Sequence, residues 1–370
     1  MKNLYLATTK LFCVTTMALA ASACGGDEGH DSEPDLDIER SGVEAPLQGG
    51  GESAACPLLD GPHAFNELKG SLENLPVDCV PSWTEEQLSA GFASIRDTRV
   101  PELIVAEQPG FLRRIPWLEP ENGCEERAPA ATYFLHQWGY PTPWYARVQS
   151  RVNGGLTLVT ENEPDGEVSW SHHVAPVVRV GGQLMILDPA IEPTGPLPIA
   201  AWLSRFVASE VDMAVCRDRA DESGCIDAAP ATPALPSMID SQGLRGRLIS
   251  EWRVQELLGR DPYRSLGDCP PWAACPPEPA ADPSLPPTIT RFASDRTDLP
   301  VWYPIYVIGD NFVEGLTTVR ITGPGVDELA PISAINKRRI LIETLYPSGD
   351  YQVTASNGAH ASQTVSLTID

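Results

Sequence analysis

The chain has 370 residues, with 26 basic against 50 acidic side chains and a formal net charge of −24. That length suits two domains rather than one. The acidic balance excludes a nucleic-acid partner, which needs a concentrated basic surface; "KRR" at 337–339 reads as a solvated strand end. Solubility accounts for the acidity, with attraction of basic protein substrates as a second reading.

In chain order, residues 1–23 read as an export signal. Lys2 and Lys10 precede an apolar stretch around Leu11–Ala21 that is too short to span a bilayer and stay there. The following "ASAC" resembles a bacterial lipobox, with Ala21 where Leu is more usual. Cleavage before Cys24 would give the thiol a diacylglyceryl group, and several acyl chains make a stable anchor. The expectation is an exported cell-envelope lipoprotein held on the membrane through Cys24; the alternative is ordinary secretion without use of Cys24. Loss of residues 1–23 takes the formal charge to −26. Residues 24–55 hold nine acids, Arg40 and "GGG" at 49–51. Such a composition cannot bury a core, so this segment is expected to be a flexible tether.

A globular domain is expected over 56–266. In "TEEQLSAGFASIRD" (84–97), Thr84 is placed to cap a helix that presents Leu88, Phe92 and Ile95 on one face. A helix at Cys124 is expected either to kink at Pro129 or to start slightly later than Cys124, and to end near Gly139 and Pro141. "GGLTLVT" (154–160) and "VSWSHHVAPVVRVGGQLMILDPA" (168–190) read as strands, and "LPIAAWLSRFVA" and "LRGRLISEWRVQELLG" as helices. Helix first and sheet later gives an α+β class. Residues 267–287 carry eight prolines in 21 positions, a stiff, extended linker. Beyond it, "TITRF", "YPIYVIGDNF", "TTVRITGPG", "RRILIETLYP", "GDYQVTASNG" and "SQTVSLTI" are short strands at regular spacing, the pattern of an all-β sandwich. Residues 288–370 resemble the IPT/TIG group of immunoglobulin-like domains.

Nine cysteines stand at 13, 24, 56, 79, 124, 216, 225, 269 and 275. Cys13 leaves with the signal and Cys24 takes the lipid, so an odd number remains in an oxidising compartment. Proximity suggests Cys56–Cys79, Cys216–Cys225 and Cys269–Cys275, although the count allows other connectivities. Cys124 is then the free thiol, in "ENGCEERA" (121–128).

A nucleophilic thiol must ionise, and a helix N-terminus and a nearby histidine both promote that. Arg127 adds a positive charge one turn away, whereas Glu125 and Glu126 would oppose a thiolate they faced. The candidate bases are His172 and His173. A two-residue Gly181-Gly182 hairpin pairs residues whose numbers sum to 363, which puts His173 on one face with Asp188 and turns His172 to the other. A four-residue loop gives the same face. Asp188 would fix the His173 tautomer and stabilise its imidazolium. Cys124 as nucleophile, His173 as base and then acid, and Asp188 as orienter form a candidate triad; a buried structural cysteine and a satisfied core histidine are the bland alternatives.

Residues 115–205 resemble the bacterial protein-glutamine glutaminases. "IPWLEPENGCEERA" carries Pro-x-x-Gly-Cys-x-x-Arg-Ala, "WSHHVA" carries Trp-Ser-x-His-Val-Ala, "LDPA" is similar to Asp-Pro-Ser, and "TGPLPIAAW" to a Gly-Pro…Trp stretch in the same order. Glu125-Glu126 and Pro129 depart from the family's usual residues. The resemblance implies the triad Cys124, His173 and Asp188 on a papain/transglutaminase-like core, a nucleophile helix packed on an antiparallel sheet. It also implies deamidation of protein-bound glutamine to glutamate with ammonia release, on a glutamine-containing protein or peptide. Trp170 and Trp117 are candidate walls of a substrate slot. No metal ligand set, phosphate loop or dinucleotide fingerprint is found, so no cofactor or metal is expected. The alternatives are transglutaminase-type acyl transfer, in which an amine intercepts the thioester, and a non-catalytic envelope-binding lipoprotein.

Overall fold

Thr84 caps helix α1 (Glu85–Asp97) through a reciprocal box: its hydroxyl accepts from the Gln87 amide at 3.1 Å, and the Gln87 side chain accepts from the Thr84 amide at 2.9 Å. Leu88, Phe92 and Ile95 are buried as their spacing requires and join Ala131, Phe134 and Leu135 of α2 (Cys124–Gln137) in one core. This computed structural model describes residues 77–369 except 152–154, 209–210, 218–219, 222–223, 226–241 and 295–302, all within one compact unit, Ala45–Asp370. The signal segment, the whole tether, residues 56–76 of the expected domain, Cys24 and Cys56 lie outside the described residues.

Helix α2 packs on an antiparallel sheet of β1 (Trp144–Ser150), β4 (His172–Val180), β5 (Gln183–Ile186), β6 (Leu197–Pro198) and β7 (Val211–Cys216), in the order β6-β5-β4-β1-β7. Strand β4 is almost wholly buried because both of its faces are covered. Val174 packs with Cys124 and Ala128 of α2, and Val178 and Val180 join the helical core. Ala175 and Val177 face the opposite core with Val148, Ile186 and Trp202. The β4–β5 hairpin turns on Gly181 (φ 55°) and Gly182 (φ 83°), and its pairs, Val180 with Gln183 through Val177 with Ile186, keep the expected sum. Positive φ at both central positions is what a twisted two-residue hairpin demands.

The remaining expectations are met with adjustments. Ser171 divides the long apolar run into β3 (Glu167–Trp170), which pairs with β2 (Leu156–Val159) in a separate ribbon, and β4. Helix α3 is only Ile199–Leu203. Pro198, which lacks an N–H, ends β6, and past Leu203 the chain turns so that Val207 pairs with Thr157. Helix α2 starts at Cys124 itself and continues through Pro129 to Gln137. Gly139 follows at φ 84°, the left-handed residue expected at its end.

Helix α4 (Gln242–Leu257) underpins the segment before α2. The side chains of Arg113 and Glu251 are each 1% exposed and pair at 2.8 Å. The second Glu251 oxygen accepts from the Leu118 amide at 2.8 Å, and the Gln255 amide group donates to the Leu118 carbonyl. Arg247 reaches Glu119 at 3.1 Å. A short helix, α5 (Pro262–Ser265), follows.

After β7, the short strands β8 (Ala220–Asp221) and β9 (Gly224–Cys225) pair with each other, and the residues expected as strands beyond 288 do form strands, arranged in two antiparallel sheets. One orders β10 (Thr288–Ala293), β11 (Ile305–Asp310), β15 (Arg339–Ile342) and β14 (Ala334–Ile335). The other orders β13 (Val326–Leu329), β12 (Thr317–Gly323), β16 (Gly349–Asn357) and β17 (His360–Ala361), with β18 (Val365–Ile369) also on β16. Ile305, Val307, Val319, Ile321, Ile340, Tyr351 and Val353 fill the core between them. The "KRR" cluster is not a solvated strand end. Lys337 and Arg338 both hold Glu278 of the proline-rich segment, Arg338 also pairs with Asp261, and Arg339 donates to the Leu257 carbonyl at the end of α4. Three cations in a row find fixed acceptors there because the linker lies back against them.

Candidate active site

The "ENGC" turn places the thiol. Gly123 adopts φ 86°, ψ 16° just before α2, a left-handed conformation that disfavours any side chain. A Cβ there would also lie 2.6 Å from Arg247 Cδ. Asn122 accepts from the Gly123 amide at 2.8 Å, and Arg127, buried one turn on, donates to the carbonyls of Glu119 and Asn122. Gly123→Ala should therefore cost roughly 1–2 kcal/mol of stability from the backbone alone and displace Cys124. A urea melt paired with an activity assay checks this, and an unchanged midpoint with unchanged activity contradicts it.

Cys124 is buried and is the free cysteine among the described residues. Cys269 and Cys275 are joined, with Cα atoms 5.6 Å apart. Cys79 and Cys216 are each in a disulfide; their expected partners, Cys56 and Cys225, fall outside the side chains described.

His173 is fully enclosed, with Nε2 2.8 Å from Asp188 Oδ2. The same Asp188 oxygen accepts from Trp202 Nε1 at 2.9 Å. The other ring nitrogen, Nδ1, is buried and makes no hydrogen bond, which leaves it as the nitrogen open to proton exchange. Burial would lower the His173 pKa, but the charge and hydrogen bond of Asp188, with the thiol's contribution, raise it to about 9. Burial pushes the Cys124 thiol up; the neighbouring imidazoles of His172 and His173, and the charges of His173 and Arg127, carry it down to about 6. The resting site thus favours a thiolate–imidazolium pair.

Three expectations shift on this geometry. His172 does lie on the face opposite His173, yet that is the face α2 covers, so it is not removed from the thiol. Its Nε2 meets Glu125 Oε1 at 2.8 Å and its Nδ1 lies 3.1 Å from the Ser171 hydroxyl. Trp170 stands against His173, ring centroids 5.1 Å apart, and its N–H holds the Pro120 and Glu121 carbonyls of the nucleophile turn. Trp117, expected beside a slot, is instead a core residue bonded to the Ile95 carbonyl at 2.8 Å, because the apolar faces of α1 and α2 close over it. Sequence reasoning missed Trp202 as the second donor to Asp188, although its motif was in view, and missed the His172–Glu125 pair. Among the described residues no cluster of His, Cys, Asp and Glu has the arrangement of a metal site.

Residues 88–206, which include Cys124, His173, Asp188 and Trp202, match a protein-family model described as glutaminase. No curated protein matches the chain. Among solved structures, it is similar to a crystal structure of protein-glutaminase at 20% identity, over 52% of this chain and 94% of that one, with a TM-score of 0.28. The NMR structure of protein-glutaminase from Chryseobacterium proteolyticum gives 18% identity over 41% of this chain and 94% of that one, with a TM-score of 0.29. A crystal structure of pro-protein-glutaminase gives 21% identity and a TM-score of 0.28 over 41% of this chain; the match spans about half, 54%, of that longer chain. The segment that is similar to the glutaminase model contains Cys124, His173 and Asp188.

Proposed function

We propose that this protein is a cysteine-dependent protein-glutamine glutaminase, with a papain/transglutaminase-like core over 56–266 and an IPT/TIG-like immunoglobulin domain over 288–370. The single observation that carries the reading is the buried free thiol of Cys124 together with the buried His173–Asp188 hydrogen bond, all within the glutaminase match. The Cys124 thiolate attacks the side-chain amide carbon of a protein-bound glutamine. The Cys124 amide at the start of α2 is placed to donate to the oxyanion. His173 gives its proton to the departing ammonia, and the carbon–nitrogen pair leaves with the nitrogen. Neutral His173 then takes a proton from water, hydroxide adds to the thioester carbon, and sulfur leaves as thiolate. Asp188, held by Trp202, keeps the imidazole oriented through both halves. Export and a lipid anchor at Cys24 complete the proposal and put the enzyme in the bacterial cell envelope.

The test is incubation of the protein with a glutamine-rich protein, with ammonia measured and Gln-to-Glu conversion mapped by mass spectrometry. Cross-linked products would instead favour transglutamination, and no change at all a binding role. The pH profile follows from the two titrations that flank the ion pair. The thiolate is lost as pH falls through about 6 and the imidazolium as it rises through about 9. The two groups titrate as a pair, so kcat/KM should form a bell with limbs near those values. A profile still rising at pH 10 would contradict the pairing.

A further inference from the structure

Helix α4 carries Gly243, Arg247, Glu251 and Gln255 at four-residue intervals, so the four form one ridge along it. Each meets the segment that leads into the nucleophile. Gln255 and Glu251 hold the Leu118 carbonyl and amide. Arg247 reaches Glu119 and Gly123, and a Cβ on Gly243 would stand 2.7 Å from Glu126 Oε1. This helix lies outside residues 88–206, the segment similar to the glutaminase model. It is also fixed from behind. The buried Arg113–Glu251 pair holds its middle, while Arg291 pairs with Glu256 and Arg339 donates to the Leu257 carbonyl at its end.

Gly123 is where this ridge meets the catalytic turn. A glycine has no side chain with which to fix its own backbone, so a neighbour must supply the packing. Gly123 is buried, and a Cβ on it would lie 2.6 Å from Arg247 Cδ and 2.7 Å from Cγ. The aliphatic stem of Arg247 therefore packs directly on the Gly123 backbone. The head of the same side chain is anchored: Nη1 bonds Glu119 Oε1 at 3.1 Å, and Glu119 is wholly buried. The Glu119 carbonyl in turn accepts from Arg127 at 2.7 Å, and Arg127 also donates to the Asn122 carbonyl. One glutamate thus fixes two arginines, and both border the space that a Gly123 side chain would need.

We propose that Arg247, anchored by Glu119, is a positioning residue for Cys124: its stem keeps the Gly123 turn from shifting and so holds the thiol in place at the first residue of α2. Arg247 itself touches no reacting atom. The charges that act on the thiol are those of His173 and Arg127, whereas the Arg247 charge is matched by Glu119. Its action is steric and passes through the backbone. Misplacement of a reacting group by about 1 Å can cost on the order of a hundredfold in rate. The effect on turnover rests on the glutaminase reading; the effect on the thiol does not.

The experiment is the pH dependence of Cys124 alkylation by iodoacetamide on the full chain, read on the Cys124 peptide by mass spectrometry. It is paired with kcat and KM for ammonia release from a glutamine-rich protein. The wild-type midpoint is expected near 6. In Arg247→Ala it should rise by about half to one pH unit as the thiol loses its fixed place at the helix start. In the same variant kcat should fall roughly tenfold or more with KM nearly unchanged. Arg247→Lys keeps a stem and a cation for Glu119 and should restore both. His172, His173 and Arg127 are untouched in these variants. A urea melt identifies the folded protein, whose thiol a merely structural role would leave unaltered. A folded Arg247→Ala protein with the wild-type alkylation profile overturns the proposal. If that variant fails to fold, Arg247→Met, which keeps a stem but leaves Glu119 without its cation, decides by the same criterion with a smaller shift expected. A shifted midpoint without ammonia release by the wild type from any glutamine protein would leave this inference standing and sink the glutaminase reading; normal ammonia release with an unshifted midpoint would do the reverse.

Discussion

Cys124→Ala is expected to abolish glutamine-to-glutamate conversion, a loss on the order of a million-fold when the nucleophile of a catalytic unit is removed. The fold should persist. The substitution deletes one sulfur from a site whose neighbours are Ala128, Tyr145 and Val174, and a small buried truncation of this kind costs about 1 kcal/mol. Ammonia release and mass-spectrometric mapping give the activity, and a thermal melt shows that the variant is folded. Cys124→Ser should be nearly as inactive, because a hydroxyl cannot ionise under the pull that brings this thiol to about 6. Retention of even a hundredth of the wild-type rate in the folded Ala variant would mean that another group attacks the amide.

The largest effect on stability is expected at Glu251. Its removal in Glu251→Ala leaves the Arg113 guanidinium buried without its partner and the Leu118 amide without its acceptor. Breaking a buried pair from one side costs roughly 3–5 kcal/mol. Glu251→Gln should cost much less. Burial holds the Glu251 carboxyl above its ordinary range against the pull of Arg113, so ionisation there adds no stability as pH rises. The neutral amide retains an acceptor for Leu118. Urea unfolding of both variants checks the ranking, and equal losses would show that charge rather than hydrogen bonding dominates. Because Leu118 leads into the nucleophile turn, activity in Glu251→Ala should fall before the protein unfolds.

The sequence was most legible where one local rule acted alone. The Thr84 box, the apolar face of α1 and the Gly181-Gly182 register each follow from a few adjacent residues, and the register sufficed to bring His173 and Asp188 to one face. It was silent wherever a contact depended on which element covers which face. Strand alternation separated His172 from His173 correctly, yet only the packing of α2 on the Val174–Val178 face reveals that His172 pairs with Glu125 of the nucleophile helix. Arg247, Glu251 and Gln255 look like solvated positions of an ordinary helix; four-residue spacing puts them in line, but nothing local says that the line is buried against 113–119. "KRR" was misread for the same reason. Its acceptors, Glu278, Asp261 and the Leu257 carbonyl, lie far away in sequence. The Trp202 bond to Asp188 is the intermediate case, since its motif could be seen but its role required the turn that brings α3 over the sheet.

The Gly181-Gly182 turn has a consequence for how such a chain can vary over generations. His173 and Asp188 meet because the two arms of the hairpin are counted from that turn in steps of two. One residue gained or lost there would exchange the faces of everything on the β5 side, and Asp188 would swing away from His173 while every catalytic residue stayed in the sequence. Descendants of this chain can lengthen or shorten the turn only by pairs, or by a bulge that absorbs the odd residue. An inactive relative with all three residues intact is therefore most readily made by a single codon insertion at this hairpin.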